Sequence, residues 1–186
     1  MNNGYKHFIE GKIIYLREVR PADVNENYYR WLNDPEVNQF LETHFVPQSM
    51  ENIKRYVERM DGKSDEIFLA MCLKENDRHV GNIKLGPINW IHRNADISLV
   101  IGEKEYWGKG IATDAIRALS GFAFNVLNLN NLKAGCYAEN KGSKGAFIKV
   151  GFKEVGLIKD DIYFQGKYTD HVLLALNKKE FTGANL

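Results

Sequence analysis

The sequence predicts an α+β fold, and three observations carry that reading. Residues 95–101 alternate Ala95, Ile97, Leu99 and Ile101 on one face with Asp96, Ser98 and Val100 on the other, the period-two pattern of a strand. Residues 111–126 instead repeat Ile111, Ala115, Leu119, Phe122, Ala123 and Val126 at steps of three and four, one apolar stripe of a helix. Two pairs of strand-like runs, 67–73 with 79–88 and 152–159 with 168–176, are each joined by a short polar turn and so return antiparallel.

In chain order, residues 13–19 form the first strand. Pro21 then suits the first turn of a helix that runs through Tyr28, Tyr29 and Trp31 and stops before Pro35. Ser49 caps a second helix with Ile53, Tyr56, Val57 and Met60 on one face and Gly62 as its stop. The hairpin of 67–73 and 79–88 turns at residues 74–78. The strand at 95–101 leads into the long helix, and residues 132–138 form a further strand. A short helix follows, ending near Val150-Gly151-Phe152, and the last hairpin turns around Gly166. No repeat, low-complexity tract or linker interrupts the chain, and residues 1–186 read as a single domain.

The most informative segment is Tyr106-Trp107-Gly108-Lys109-Gly110-Ile111-Ala112-Thr113, a glycine turn at the head of the long helix. Two glycines let the backbone approach a ligand closely, while the first helical N–H groups lack intrahelical partners and carry the positive end of the dipole. A phosphate or pyrophosphate fits such a site. The P-loop pattern does not apply, because its glycines are more widely spaced and its lysine precedes a hydroxyl residue, whereas Lys109 precedes Gly110. The dinucleotide fingerprint also fails, since Thr113 stands where its third glycine belongs.

With this turn, three further segments complete a resemblance: Asn140-x-x-Ser143, Lys149-Val150-Gly151-Phe152, and Leu16-Arg17 followed by Trp31-Leu32-Asn33-Asp34-Pro35-Glu36-Val37. In order and spacing the chain resembles the GNAT superfamily of acyl-CoA N-acyltransferases. Within it, the chain is similar to the branch holding ribosomal-protein N-terminal acetyltransferases and small-amine acetyltransferases. Trp107 stands where the wider superfamily has Gln or Arg, as is usual for that branch. The resemblance implies a mixed sheet of about seven strands whose fourth and fifth strands, here near 95–101 and 132–138, splay apart to admit the pantetheine of acetyl-CoA. It also implies that Leu99, Val100 and Ile101 meet the pantetheine, that Trp107, Gly108, Lys109, Gly110, Ile111, Ala112 and Thr113 hold the pyrophosphate, and that Asn140 and Ser143 hold the cofactor from the other side.

Amine acetylation needs a neutral amine, a donor to the developing oxyanion and a proton for the leaving thiolate. Many family members carry a tyrosine at the position of Phe147, which has no proton to give. Ser143 is the candidate donor, with a helix N-cap as its other role. Asp96 is the candidate base, with an ion pair to a neighbour such as Arg93 as its structural alternative, and Glu139 is the second choice. The acceptor is expected between the first two helices and the last hairpin. Tyr29, Trp31, His44, His92 and Tyr168 are its candidate contacts. The expected acceptor is a primary amine of a small molecule, with an amino sugar or its nucleotide conjugate first. A protein N-terminus is the alternative acceptor, and a non-catalytic acyl-CoA sensor is the alternative outside enzymes.

A formal net charge of +1 leaves no electrostatic footprint for nucleic acid, and no run of about 18 apolar residues suggests a membrane span. The start of the chain has no apolar signal region. Cys72 and Cys136 sit in apolar strand-like runs as small core residues, and no histidine has metal-ligand spacing, so no metal is expected. A cytoplasmic protein follows from these readings. A homodimer is compatible with the sequence but not specified by it.

Overall fold

A computed structural model describes residues 6–183. Its strands are β1 (Ile9–Glu10), β2 (Ile14–Glu18), β3 (Ile67–Leu73), β4 (His79–Asn89), β5 (Asn94–Ile101), β6 (Asn131–Tyr137), β7 (Lys153–Phe164) and β8 (Lys167–Asn177). They form one sheet in the order β1-β2-β3-β4-β5-β6-β8-β7. The helices are α1 (Glu26–Asn33), α2 (Pro35–Asn38), α3 (Met50–Met60), α4 (Ile111–Asn125) and α5 (Lys141–Val150). The expected α+β class holds, with eight strands where about seven were expected. The extra strand is β1, whose two residues are too few to show a period.

Every neighbouring pair is antiparallel except β5 and β6, which run parallel because α4 carries the chain across between them. Their pairing covers only Asn94, Ala95 and Asp96 against Asn131, Leu132 and Lys133. Beyond it, β5 stays with β4 as far as Ile101, and β6 stays with β8 as far as Tyr137. Each strand keeps its outer partner, so a wedge opens between them.

The starts of α1, α2 and α3 follow side-chain caps rather than the proline alone. Pro21 opens only a short 3-10 turn, Pro21–Asp23. α1 begins later, where the Asn25 side chain accepts the N–H groups of Asn27 and Tyr28 at 3.0 and 3.2 Å. α1 does stop before Pro35, but Pro35 itself opens α2 behind the cap of Asp34. Ser49 caps α3 as expected, through the Asn52 N–H at 3.1 Å. The last hairpin is longer than the sequence suggests, because a two-residue turn of Gln165 and Gly166 lets the ladder run to Phe164 and Lys167.

Separate apolar cores lie on the two faces of the sheet. α4 and α5 cover one of them, with Ile116, Leu119 and Phe124 fully buried. α1 and α3 cover the other through Tyr28, Trp31, Ile53 and Val57. The helical stripe is corrected at two places. Val126 is exposed at the helix end, while Ile116 and Phe124, outside the stripe, are buried because α4 also packs beneath Phe181 and beside α5. A buried Arg17–Asp23 pair, at 2.7 and 2.8 Å, fastens the entry to α1 onto β2. No helix among the described residues is long and apolar enough to cross a membrane.

Candidate active site

The glycine turn is held at its base by side chains. A Cβ on Gly102 would lie 2.0 Å from the Trp31 ring, so the end of β5 rests directly on that indole. Glu103, nearly buried, accepts the Trp31 Nε1–H at 2.9 Å and bonds from Arg30 and Arg78 at 3.0 and 2.7 Å. Trp107 then folds back and donates its Nε1–H to the Ile101 carbonyl at 2.9 Å. Gly108 and Gly110 take φ values of +72° and +83°, which side chains rarely adopt, and Gly110 is the α4 cap with no side chain to satisfy it. The first α4 bond runs from the Asp114 N–H to the Gly110 carbonyl at 2.9 Å, which leaves the N–H groups of Ile111, Ala112 and Thr113 for a ligand.

Asp114 supplies a fastening that no local pattern announces. Its carboxylate accepts the backbone N–H groups of Lys12, Ile13 and Ile14 at 2.9, 2.8 and 3.1 Å, tying the head of α4 to the β1–β2 turn. The glycine turn and helix head are therefore anchored from two sides. The residues present fit the pyrophosphate of acetyl-CoA, since the helix head is uncapped and nothing lies within 4 Å of where a Cβ on Gly108 or Gly110 would stand.

A cleft of about 1740 Å³ runs from this turn through the wedge to the far face of the sheet. It exceeds the roughly 300–1,000 Å³ of a single small-ligand site and has room for a donor and an acceptor together. Leu99, Val100 and Ile101 line it from β5; Gly135, Cys136 and Tyr137 line it from β6. Trp107, Gly108, Gly110, Ile111, Ala112, Thr113, Asn140 and Ser143 also line it. Lys109 does not. Its N–H reaches back to the Tyr106 carbonyl at 3.4 Å and its Nζ lies over the Tyr106 ring, so it is a brace of the turn and not a wall of the cleft.

The cap of α5 is Asn140, whose Oδ1 accepts the Ser143 N–H at 3.0 Å. Ser143 is therefore not the cap, and it lines the cleft. Phe147 is buried edge-on against Phe152 at 4.9 Å, an apolar wall with no proton to give.

The acceptor side differs most from the sequence reading. Asp96 lies in the closed part of the wedge, opposite Lys133, and does not line the cleft. None of Tyr29, Trp31, His44, His92 and Tyr168 lines it either. Trp31 is core beneath Glu103, and His92 is exposed in the β4–β5 turn. Tyr168 is exposed against Tyr163, while the His44 Nδ1 is 2.5 Å from the Leu41 carbonyl. Tyr28, Phe40, Glu42, Tyr56, Phe68 and Tyr137 form these walls instead.

Tyr137 and Glu42 meet inside the cleft, where the phenol donates to Glu42 Oε1 at 3.0 Å. Burial first, and the Glu42 carboxylate second, push the Tyr137 hydroxyl up to about 12, so it stays protonated at neutral pH. Of the other carboxylates lining the cleft, Glu36 is paired with Lys104 and Asp161 lies 3.0 Å from His171. Glu42 has no cationic partner among the described residues. No group of three or more potential metal ligands occurs among them either.

A family model described as an acetyltransferase (GNAT) domain matches residues 14–153. The "probable N-acetyltransferase YjcK" of Bacillus subtilis is 30% identical over 177 residues, spanning 90% of this chain and 96% of the relative. The spermidine N(1)-acetyltransferase of Escherichia coli is 27% identical over 172 residues, spanning 89% of this chain and 82% of the relative. A crystal structure of spermidine N-acetyltransferase from Vibrio cholerae in complex with CoA and spermine matches with a TM-score of 0.80 at 21% identity, over 90% of this chain and 96% of that one, a likeness of fold.

Proposed function

This chain belongs to the acetyltransferase (GNAT) family and is an acetyl-CoA-dependent N-acetyltransferase, and from that premise we propose that its acceptor is the primary amine of a small molecule. An amino sugar or its nucleotide conjugate is the first reading. The observation that carries the proposal is the open wedge between β5 and β6, which joins the helix-head anion site on one face to an aromatic-walled pocket on the other. Rings of Tyr28, Phe40, Tyr56 and Phe68 suit a ring-shaped acceptor. A polyamine is the second reading, supported by the spermidine acetyltransferases among the relatives and by Glu36, Glu42 and Asp161 in the cleft walls. Two free, buried cysteines are in keeping with work in the cytoplasm.

Acetyl-CoA, when bound, supplies the thioester whose carbonyl carbon accepts the amine and whose C–S bond breaks. The N–H groups of Ile111, Ala112 and Thr113 would hold the pyrophosphate, and the β5 main-chain groups facing the wedge would hold the pantetheine. Glu42 takes the ammonium proton, since it is the cleft carboxylate without a cationic partner and the Tyr137 hydroxyl orients it. Ser143 would pass its hydroxyl proton to the departing sulfur and take in return the proton that the nitrogen loses as the amide forms. Asp96, outside the cleft, has no part in this scheme.

The test is free-thiol release from acetyl-CoA with amino sugars, their nucleotide conjugates, polyamines and peptides with free N-termini, each against an acceptor-free blank. Release with an amino-sugar acceptor is the expected result. Release with peptides alone would move the acceptor to a protein N-terminus, and release with polyamines alone would select the second reading.

A further inference from the structure

The charges in the cleft are not all neutralised: on α5, Lys141 and Lys149 have no carboxylate partner among the described residues. Lys84 bonds Glu66 at 3.1 Å, Lys104 takes Glu36, and Asp161 lies against His171. Arg55 and Arg59, by contrast, have no carboxylate partner among the described residues, although both line the cleft. They stand one turn apart on α3, where like charges repel at that spacing. Tyr56 lies beside them, with the Arg59 guanidinium 5.4 Å from its ring centre, and Tyr56 in turn meets Phe68 edge-on at 5.5 Å. Both rings line the cleft too. Two guanidinium forks beside an aromatic wall match a phosphate carried by a ring-shaped molecule.

This pair is not part of the pyrophosphate site. α3 packs through Ile53 and Val57 into the core with Trp31, whereas α4 packs into the core on the opposite face of the sheet. Glu42, the carboxylate left without a cation, lines the same cleft beside β6 through its bond from Tyr137. The cleft thus offers two sets of positive charge, the α5 lysines on the α4 side of the sheet and the α3 arginines on the other side, and on the α3 side Glu42 gives the complement of a molecule with an anionic end and an amine end.

We propose that Arg55 and Arg59 form a phosphate-recognition subsite, so that the acceptor is a primary amine that also bears a phosphate. The inference rests on the reading of the protein as a small-amine acetyltransferase and narrows its substrate class. Held at α3 by its phosphate, such an acceptor presents its amine to Glu42 and the wedge.

The experiment compares glucosamine, glucosamine 6-phosphate and spermidine, with the wild type and R55Q/R59Q, by two readouts. One is KM in the thiol-release assay. The other is Kd by calorimetry on CoA-saturated protein, which needs no turnover. Both constants are expected to be at least about tenfold lower for the phosphorylated sugar than for glucosamine in the wild type. That ratio falls toward one in R55Q/R59Q and shrinks with added salt, while R55K/R59K keeps part of it. Arg55 and Arg59 are exposed, so thermal melts of the variants should overlay the wild type. Equal wild-type constants for the two sugars, tighter binding of spermidine, or a ratio unchanged in R55Q/R59Q each overturns the proposal. A binding ratio that survives without acetylation of any amine would leave the phosphate subsite standing and remove the catalytic reading instead.

Discussion

The two halves of the cleft are built by different means. Around the glycine turn the donors are main-chain N–H groups, positioned by glycine torsions and by the head of one helix. On the acceptor side the walls are side chains from α1, α3, the 42–45 turn and β6, brought together from distant parts of the chain. The lesson is that a main-chain site tolerates side-chain change and fails with backbone change, while a side-chain site does the reverse.

The largest expected effect tests what fastens the acceptor half. Asp23→Ala leaves Arg17 buried without its carboxylate, and should cost about 3–5 kcal/mol in urea unfolding at pH 7. Burial alone would push the Asp23 carboxyl up, but its bonds from Arg17 and the Arg20 N–H outweigh this and hold it below the usual value. A depressed carboxyl stabilises above its unfolded value of about 3.9, and that stability is lost as pH falls through the lower folded value. The gap between wild type and variant should therefore narrow in acid, and a constant gap would assign the effect to packing.

Next comes the chemistry on the acceptor wall. Glu42→Gln should lower kcat by about 10²-fold with the KM for acetyl-CoA unchanged. Ser143→Ala should lower kcat by about tenfold or more and likewise spare cofactor affinity. A Glu42→Gln enzyme with full turnover would place the base elsewhere.

The cofactor half is sharpened by a matched pair. Gly110→Ala forces an ordinary residue to φ +83° at a strain of about 1–2 kcal/mol, and should raise the KM for acetyl-CoA about tenfold. Lys109→Ala, next to it, should change that KM by less than about twofold, because a lone charge at the rim contributes little. A larger loss from Lys109→Ala would show that this half also reads through side chains. The smallest effect belongs to Asp96→Asn, expected to leave kcat within about twofold of wild type, the ordinary scale of a surface change of about 0.5 kcal/mol or less. A strong fall would return Asp96 to the mechanism.

Tyr28 and Tyr29 show where sequence reading stops. Both fit the same helix, and adjacent residues on a helix point about 100° apart. The sequence pattern points to Tyr29 as an acceptor contact, yet Tyr28 lines the cleft and Tyr29 does not. The rotation of α1 that decides between them is set by the Arg17–Asp23 pair and the Trp31–Glu103 bond, and the latter joins residues 72 positions apart. Trp31 is core and not a cleft contact for the same reason, because an aromatic residue on an amphipathic helix reads alike whether it meets core or cleft.

The sequence by itself determined the α+β class, most of the strands, the Ser49 cap and the glycine turn at the head of α4, because each depends on torsions and bonds spanning a few residues. Only the tertiary structure decided which side chains share the cleft. Glu42 meets Tyr137 across 95 positions and Asp114 meets Lys12 across 102. No period or motif encodes such contacts, since they exist only once the sheet has fixed where β5 and β6 part.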